Sequence, residues 1–177
     1  MAEARDVLLI VDMQVALFGR ERRQNAAELI ERLNALARRV RASGGLVVFV
    51  RHTQAGSPFT EGSDGWQVLP ELEVAEADAF VGKATCDAFA GTDLPELIPL
   101  ETTRRLIVTG CASDFCVDTT VRSAAVRGYD VWAPADGHTT SDRPHLKAEA
   151  VIAHHNYVWS EFIGAGGPVK VAPVAEV

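Results

Sequence analysis

A cysteine placed just beyond a buried-looking apolar run is the residue of this chain best suited to covalent chemistry. The segment Leu106-Ile-Val-Thr-Gly-Cys-Ala-Ser-Asp-Phe-Cys116-Val-Asp-Thr-Thr120 reads as a strand that stops at a glycine and reopens as a helix, with Cys116 in the first turn. Unsatisfied N–H groups and the positive end of the helix dipole lower a thiol pKa, so the pattern predicts an activated thiolate. Two other polar residues take equivalent places: Asp12 closes the first apolar run, and Lys83 follows the third. A carboxylate, an ammonium and a thiol suffice to remove a thiol proton, hold the charge and return the proton to a leaving group. Each alone has an ordinary reading, as a strand-end cap, a solvated lysine or a small buried hydrophobe. The chemical reading rests on finding all three at strand ends.

The elements that would position them follow from periodicity. Apolar runs at 7–11, 46–50, 79–82, 106–109 and 131–133 predict five strands, and 157–160 or 169–171 would add a sixth. Between them, helical patterns cover 25–42, 93–97, 115–127 and about 144–154; in the first, Leu29, Ile30, Leu33, Leu36, Ala37 and Val40 share one face. Continuous Val, Leu and Ile runs alternating with helices indicate an α/β fold with a parallel sheet covered on both faces. In such sheets ligands bind at the carboxyl ends of the strands, where strand order reverses. An order of 3-2-1-4-5-6 would set Asp12 beside Cys116. Residues 51–77 form a long polar loop, which in a compact domain is usually functional or a lid. No repeat or linker appears, so residues 1–177 read as one domain.

Composition narrows the partners. The net charge is −7, and 8 of the 17 basic residues fall between Arg20 and Arg51, read as one face of a helix. Nucleic-acid and membrane binding are not expected. The run 7–11 is ended by Asp12 before reaching signal-peptide length. Three cysteines, Cys86, Cys111 and Cys116, show neither a CxxC nor a zinc spacing, which suits a reducing, cytoplasmic setting. Neither GxGxxG nor GxxxxGK[ST] occurs.

Three stretches resemble the motifs of the isochorismatase-like cysteine hydrolases, in the same order along nearly the whole chain: Leu9-Ile-Val-Asp12-Met-Gln14-Val-Ala-Leu-Phe18, Phe80-Val-Gly-Lys83-Ala-Thr-Cys-Asp-Ala-Phe89-Ala-Gly-Thr-Asp-Leu94, and Val108-Thr-Gly-Cys-Ala112-Ser-Asp-Phe-Cys116-Val. The resemblance implies a Rossmann-like three-layer α/β/α sandwich with a central, mainly parallel five- or six-stranded sheet. It also implies an Asp12-Lys83-Cys116 triad, a cis peptide at Cys111-Ala112 and an oxyanion hole from the backbone N–H groups of Ala112 and Cys116. The implied reaction is hydrolysis of a C–N bond in a small amide, carbamoyl or ureido compound through a thioester. Relatives are commonly dimers or tetramers, so a homo-oligomer is expected.

Departures from the family matter as much. Nicotinamidase-type members bind a metal through an Asp-x-His pattern and further histidines; here the loop after the second strand reads Arg51-His52-Thr53-Gln54, with no other histidine before His138. No metal or cofactor is therefore expected. Members that cleave a vinyl ether lack the cysteine, so Cys116 argues against that reaction. The segment Ser57-Pro-Phe-Thr-Glu-Gly-Ser-Asp-Gly-Trp66 resembles the loop of the metal-free amidohydrolases. Phe18, Trp66 and Phe89 are candidates to wall an apolar slot, against plain packing. Gln14 either orients Asp12 or bonds backbone; Arg51 either meets a substrate carboxylate or carbonyl or forms a surface ion pair; Thr120 is a further candidate substrate contact. Two other readings stay open: a nitrile or ester hydrolase of the same fold, and a non-catalytic small-molecule-binding α/β domain.

Overall fold

The computed structural model describes residues 4–19 and 23–177. In chain order it comprises β1 (Arg5–Val11), α1 (Val15–Phe18), α2 (Ala26–Ala42), β2 (Leu46–His52), β3 (Ala79–Lys83), α3 (Leu94–Leu97), β4 (Thr103–Cys111), α4 (Asp118–Val126), β5 (Val131–Trp132), β6 (His138–Thr139), α5 (Ala148–Ser160) and the hairpin strands β7 (Ile163–Gly164) and β8 (Gly167–Pro168). The sheet order is β3-β2-β1-β4-β5, with β6 also on β4. Every pairing in it is parallel, with Leu9 opposite Val48 and Val108, and Phe49 opposite Phe80.

β1, β2 and most of β4 are covered on both faces, which is why their runs are continuously apolar rather than alternating, whereas the edge strand β3 leaves Phe80 exposed. Alternate side chains of β1 divide between the layers. Leu8 and Ile10 pack with Leu29, Leu33 and Leu36 of α2, whereas Val7, Leu9 and Val11 pack with Val121, Ala124 and Ala125 of α4 and with Trp159 of α5. This is the three-layer α/β/α arrangement. Gly44, at φ +76°, ends α2 in the left-handed conformation, and Gly45 N–H bonds Val40 O at 2.8 Å.

Four expectations differ in detail. The sixth strand is β6, not 157–160, which lies in α5, nor 169–171, which makes a single bridge from Lys170 to Trp132. A two-residue strand in Gly-His-Thr-Thr offers no apolar run to detect. The helix expected over 144–154 runs from Ala148 to Ser160, because Asp142 Oδ1 accepts from Ala148 N at 2.9 Å and starts it later. The helix expected from Phe115 opens instead as a π-turn over Ser113–Val117 before α4. Of the basic stretch, Arg20 and Arg22 lie outside the described residues, Arg32, Arg38, Arg39 and Arg41 lie on α2, and Arg23 and Arg51 do not. Among the described residues no helix is long and apolar enough to cross a membrane.

Candidate active site

The site begins where β1 ends. Asp12 leaves the strand at φ +49°, its N–H held by Val50 O at 2.8 Å, and its side chain is buried at the strand's carboxyl edge. Lys83, the last residue of β3, reaches the same point from across β2. Its Nζ donates to Asp12 Oδ2 at 2.7 Å, to Thr85 O at 3.0 Å and to Cys116 Sγ at 3.3 Å. These contacts match the three donors of an ammonium. Asp12 Oδ1 is buried with no hydrogen-bond partner within the described residues.

β4 delivers the sulfur. Gly110 lies opposite Val11, and a Cβ there would fall 2.1 Å from Val11 O, so only glycine permits this approach of β4 to β1. The next peptide, Cys111-Ala112, is cis. Ala112 O then accepts from Phe115 N and Val117 N, each at 3.1 Å, the amides on either side of Cys116. The π-turn is braced from below. Ser113 Oγ lies 2.7 Å from His138 Nδ1, and His138 Nε2 lies 2.9 Å from Asn156 Oδ1. Because Asn156 Nδ2 donates to Ala135 O, its Oδ1 is the acceptor, which assigns the proton to His138 Nε2 and makes Nδ1 accept from Ser113. Burial holds His138 down to about 4, so the imidazole is neutral. Asp114 is gripped by Arg143 and Thr140.

The electrostatics correct one expectation. Burial and then the Asp12 charge push the Cys116 thiol above its ordinary range, with Lys83 opposing them. Burial and Asp12 thus hold the thiol proton more firmly than in a free cysteine. For Lys83, burial favours loss of the proton, but the Asp12 and Cys116 interactions outweigh it and the ammonium is held more firmly than usual. Cys111, fully buried, is pushed up to about 12, chiefly by burial.

Asp12 and Cys116 border a cavity of about 350 Å³. Its remaining lining includes Leu17, Arg23, His52, Phe59, Phe115 and Arg143. The other sequence candidates sit elsewhere. The Arg51 guanidinium is sandwiched 3.5 Å from the Trp66 ring and 4.5 Å from Phe80, and Trp66 donates its indole N–H to Thr53 Oγ1 at 2.9 Å. Both hold the 51–77 loop to the sheet instead of facing the cavity. Gln14 accepts from His52 N and donates to the carbonyls of His52 and Trp66, so it bonds backbone and does not touch Asp12. Phe89 packs in the core against Tyr129, Phe18 lies in a neighbouring surface depression, and Thr120 Oγ1 accepts from Ala88 N. Strand alternation explains one substitution: adjacent residues face opposite ways, and it is His52, not Arg51, that reaches the cavity. Phe59 and Phe115 lay in segments already singled out, but Arg23 and Arg143 carried no sequence signal. Among the described residues no cluster of three or more His, Cys, Asp or Glu is arranged to hold a metal ion.

Residues 6–159 match the Isochorismatase domain family. The chain belongs to the isochorismatase family. Among relatives of the isochorismatase family, a streptothricin hydrolase of Streptomyces noursei is 34% identical over 139 residues, 77% of this chain and 50% of that protein. The chain thus spans about half the length of the streptothricin hydrolases it matches. A secreted isochorismatase effector of Verticillium dahliae is 31% identical over 149 residues, 82% of this chain and 78% of the effector. In three dimensions, the crystal structure of an isochorismatase from Pseudomonas putida KT2440 superposes with a TM-score of 0.86 at 27% identity, covering 100% of this chain and 93% of that one.

Proposed function

We propose that this isochorismatase-family chain is a cysteine hydrolase that cleaves the C–N bond of a small amide, carbamoyl or ureido compound through a thioester intermediate. One observation carries the reading: a single buried ammonium, Lys83, bridges the Asp12 carboxylate and the Cys116 sulfur at the edge of a cavity. Asp12 takes the thiol proton as Cys116 attacks the substrate carbonyl, its unpartnered Oδ1 being open to receive it. Proton transfer coupled to attack suits a thiol whose resting pKa is raised, since the thiolate then exists only while the new bond forms. Lys83 keeps its charge and stabilises whichever neighbour is ionised. The N–H groups of Ala112 and Cys116 receive the carbonyl oxygen as it becomes anionic, a contribution typically of about 10²–10³ in rate per donor. Asp12 then protonates the leaving amine and activates water against the thioester. No metal or cofactor enters these steps.

The test is ammonia release from a panel of small amides, ureido compounds and carbamoyl compounds, with intact-mass detection of an acyl adduct on Cys116. Turnover that survives Cys116→Ala would refute the assignment. Acid release from esters without ammonia release from amides would favour ester hydrolysis on the same triad. We place the protein in the cytoplasm as a homodimer or homotetramer; the three unpaired cysteines are in keeping with a reducing compartment, and sedimentation reads the assembly.

A further inference from the structure

Resting on that hydrolase reading, one cavity side chain is distinguished by how firmly its backbone is held and by what its ring lacks. His52 ends β2 and lines the space together with Asp12 and Cys116. Its main chain is fixed on both sides: Gln14 Oε1 accepts from His52 N at 2.8 Å, and Gln14 Nε2 donates to His52 O at 3.0 Å. Gln14 is itself fully buried two residues after Asp12, and its Nε2 also donates to Trp66 O at 2.9 Å. The next residue is tied as well, Thr53 N donating to Lys83 O at 2.8 Å. The histidine backbone is thus anchored to the corners that carry Asp12 and Lys83. The imidazole stands edge-on to Phe59, with ring centroids 5.4 Å apart at 78°. Among the described residues, however, His52 forms hydrogen bonds through its main chain alone, and neither ring nitrogen meets a partner. His138, which braces the nucleophile turn, has both nitrogens engaged. An imidazole can offer a donor and an acceptor, and at His52 the protein uses neither.

In the reaction above, the carbonyl oxygen goes to the N–H groups of Ala112 and Cys116, and the leaving amine to Asp12. The third substituent of the carbonyl carbon, the acyl chain, is what remains to meet Leu17, His52 and Phe59. A chain of carbon alone would exclude water from the imidazole and leave it unpaired, whereas a chain bearing nitrogen or oxygen would pair it. We propose that His52 is a specificity-determining residue whose imidazole hydrogen-bonds a nitrogen or oxygen in the acyl part of the substrate, so that ureido compounds and heteroatom-bearing amides are favoured over alkyl amides. Arg23 and Arg143 border the same space, so substitution of His52 is what isolates the imidazole from them.

Three neutral compounds of matched shape test this on the full chain. Ethylurea places N–H where butyramide has its first methylene, and methoxyacetamide places oxygen where butyramide has its second. Because each preference is compared between the parent protein and His52→Phe, the intrinsic reactivity of the compounds cancels. For at least one analogue, kcat/KM for ammonia release relative to butyramide is expected to fall about fivefold or more in His52→Phe. It should return toward the parent value in His52→Gln, which keeps a donor and an acceptor. The Gln14 bonds are to main-chain atoms, so either side chain leaves the corner in place, and His52→Leu replaces His52→Phe should that variant not fold. A smaller change for both analogues, an equal loss on all three compounds, or no return with glutamine would overturn the proposal. Ammonia release that still depends on Cys116 would then leave the hydrolase reading intact. Absence of ammonia from every compound counts against that reading instead, and protection of Cys116 from iodoacetamide then reads the same contact. Better protection by an analogue than by butyramide in the parent, lost in His52→Phe, supports the proposal; equal protection overturns it.

Discussion

Lys83 Nζ lies 2.7 Å from Asp12 Oδ2 with both side chains sealed from solvent, 0% and 2% exposed, so each buried charge depends on the other. Removing one member of such a pair typically costs about 3–5 kcal/mol, because the survivor is left uncompensated. Lys83→Met is therefore expected to lose that much in urea unfolding. The double variant Asp12→Asn with Lys83→Met should recover most of the loss while remaining inactive. Failure of the double variant to recover would mean that the pair is not what makes the single substitution costly.

The raised Cys116 thiol gives a prediction in which two rates move apart. Alkylation of Cys116 by iodoacetamide should keep rising with pH beyond the ordinary thiol range of about 8–9. Asp12→Asn removes the charge that holds the proton on sulfur and leaves Lys83, which favours thiolate, so alkylation at pH 7 should accelerate while ammonia release falls. A variant in which both rates fall together would show that Asp12 does not oppose ionisation of the resting thiol.

His138 couples the π-turn to acidity. Its pKa drops from 6.5 in the unfolded chain to about 4 in the fold, chiefly through burial. The unfolded state therefore binds more protons between these values, and this group's contribution, about 3 kcal/mol, is complete above pH 6.5 and lost as the pH falls toward 4. Protonated Nδ1 could no longer accept from Ser113 Oγ. His138→Gln, which does not titrate, should flatten the dependence of Tm on pH across this window. A slope equal to that of the parent protein would refute the linkage.

Gly110 and Gly44 both have positive φ but differ in surroundings. A Cβ at Gly110 would meet Val11 O at 2.1 Å and Val11 N at 2.7 Å, whereas at Gly44 nothing lies within 4 Å. Gly44→Ala should cost about 1 kcal/mol from backbone strain alone. Gly110→Ala should cost more than about 4 kcal/mol or prevent soluble expression, because β4 must move off β1. Comparable Tm values for the two variants would show that close strand approach is not the constraint.

The parallel sheet was legible because long apolar runs end in polar residues; the meeting of Asp12, Lys83 and Cys116 came from the strand order assumed for this type of sheet and from the resemblance to the family's motifs. A run such as Leu106 to Val108 announces itself, and strand order then brings together residues that the chain keeps far apart. What the sequence concealed was local and polar. Nothing in Gly137-His138-Thr139 marks a strand, because its burial comes from neighbours and not from its own apolar content. The cavity walls were partly missed because adjacent strand residues face opposite ways, so Arg51 and His52 could not be ranked without knowing which pointed inward. At Cys116, burial and the neighbouring Asp12, neither legible in its own segment, raise the thiol against Lys83, and Ala112 O of the turn already collects two amides.

The central position of β1 also bears on how the chain reaches its native state. As synthesis proceeds, the Val7-Leu-Leu-Ile-Val11 ribbon can acquire β2 on one side early, but its other side waits for residues 103–111. Until these emerge from the ribosome, a naked hydrophobic edge is available to any passing strand, the circumstance in which nascent proteins aggregate or recruit chaperones.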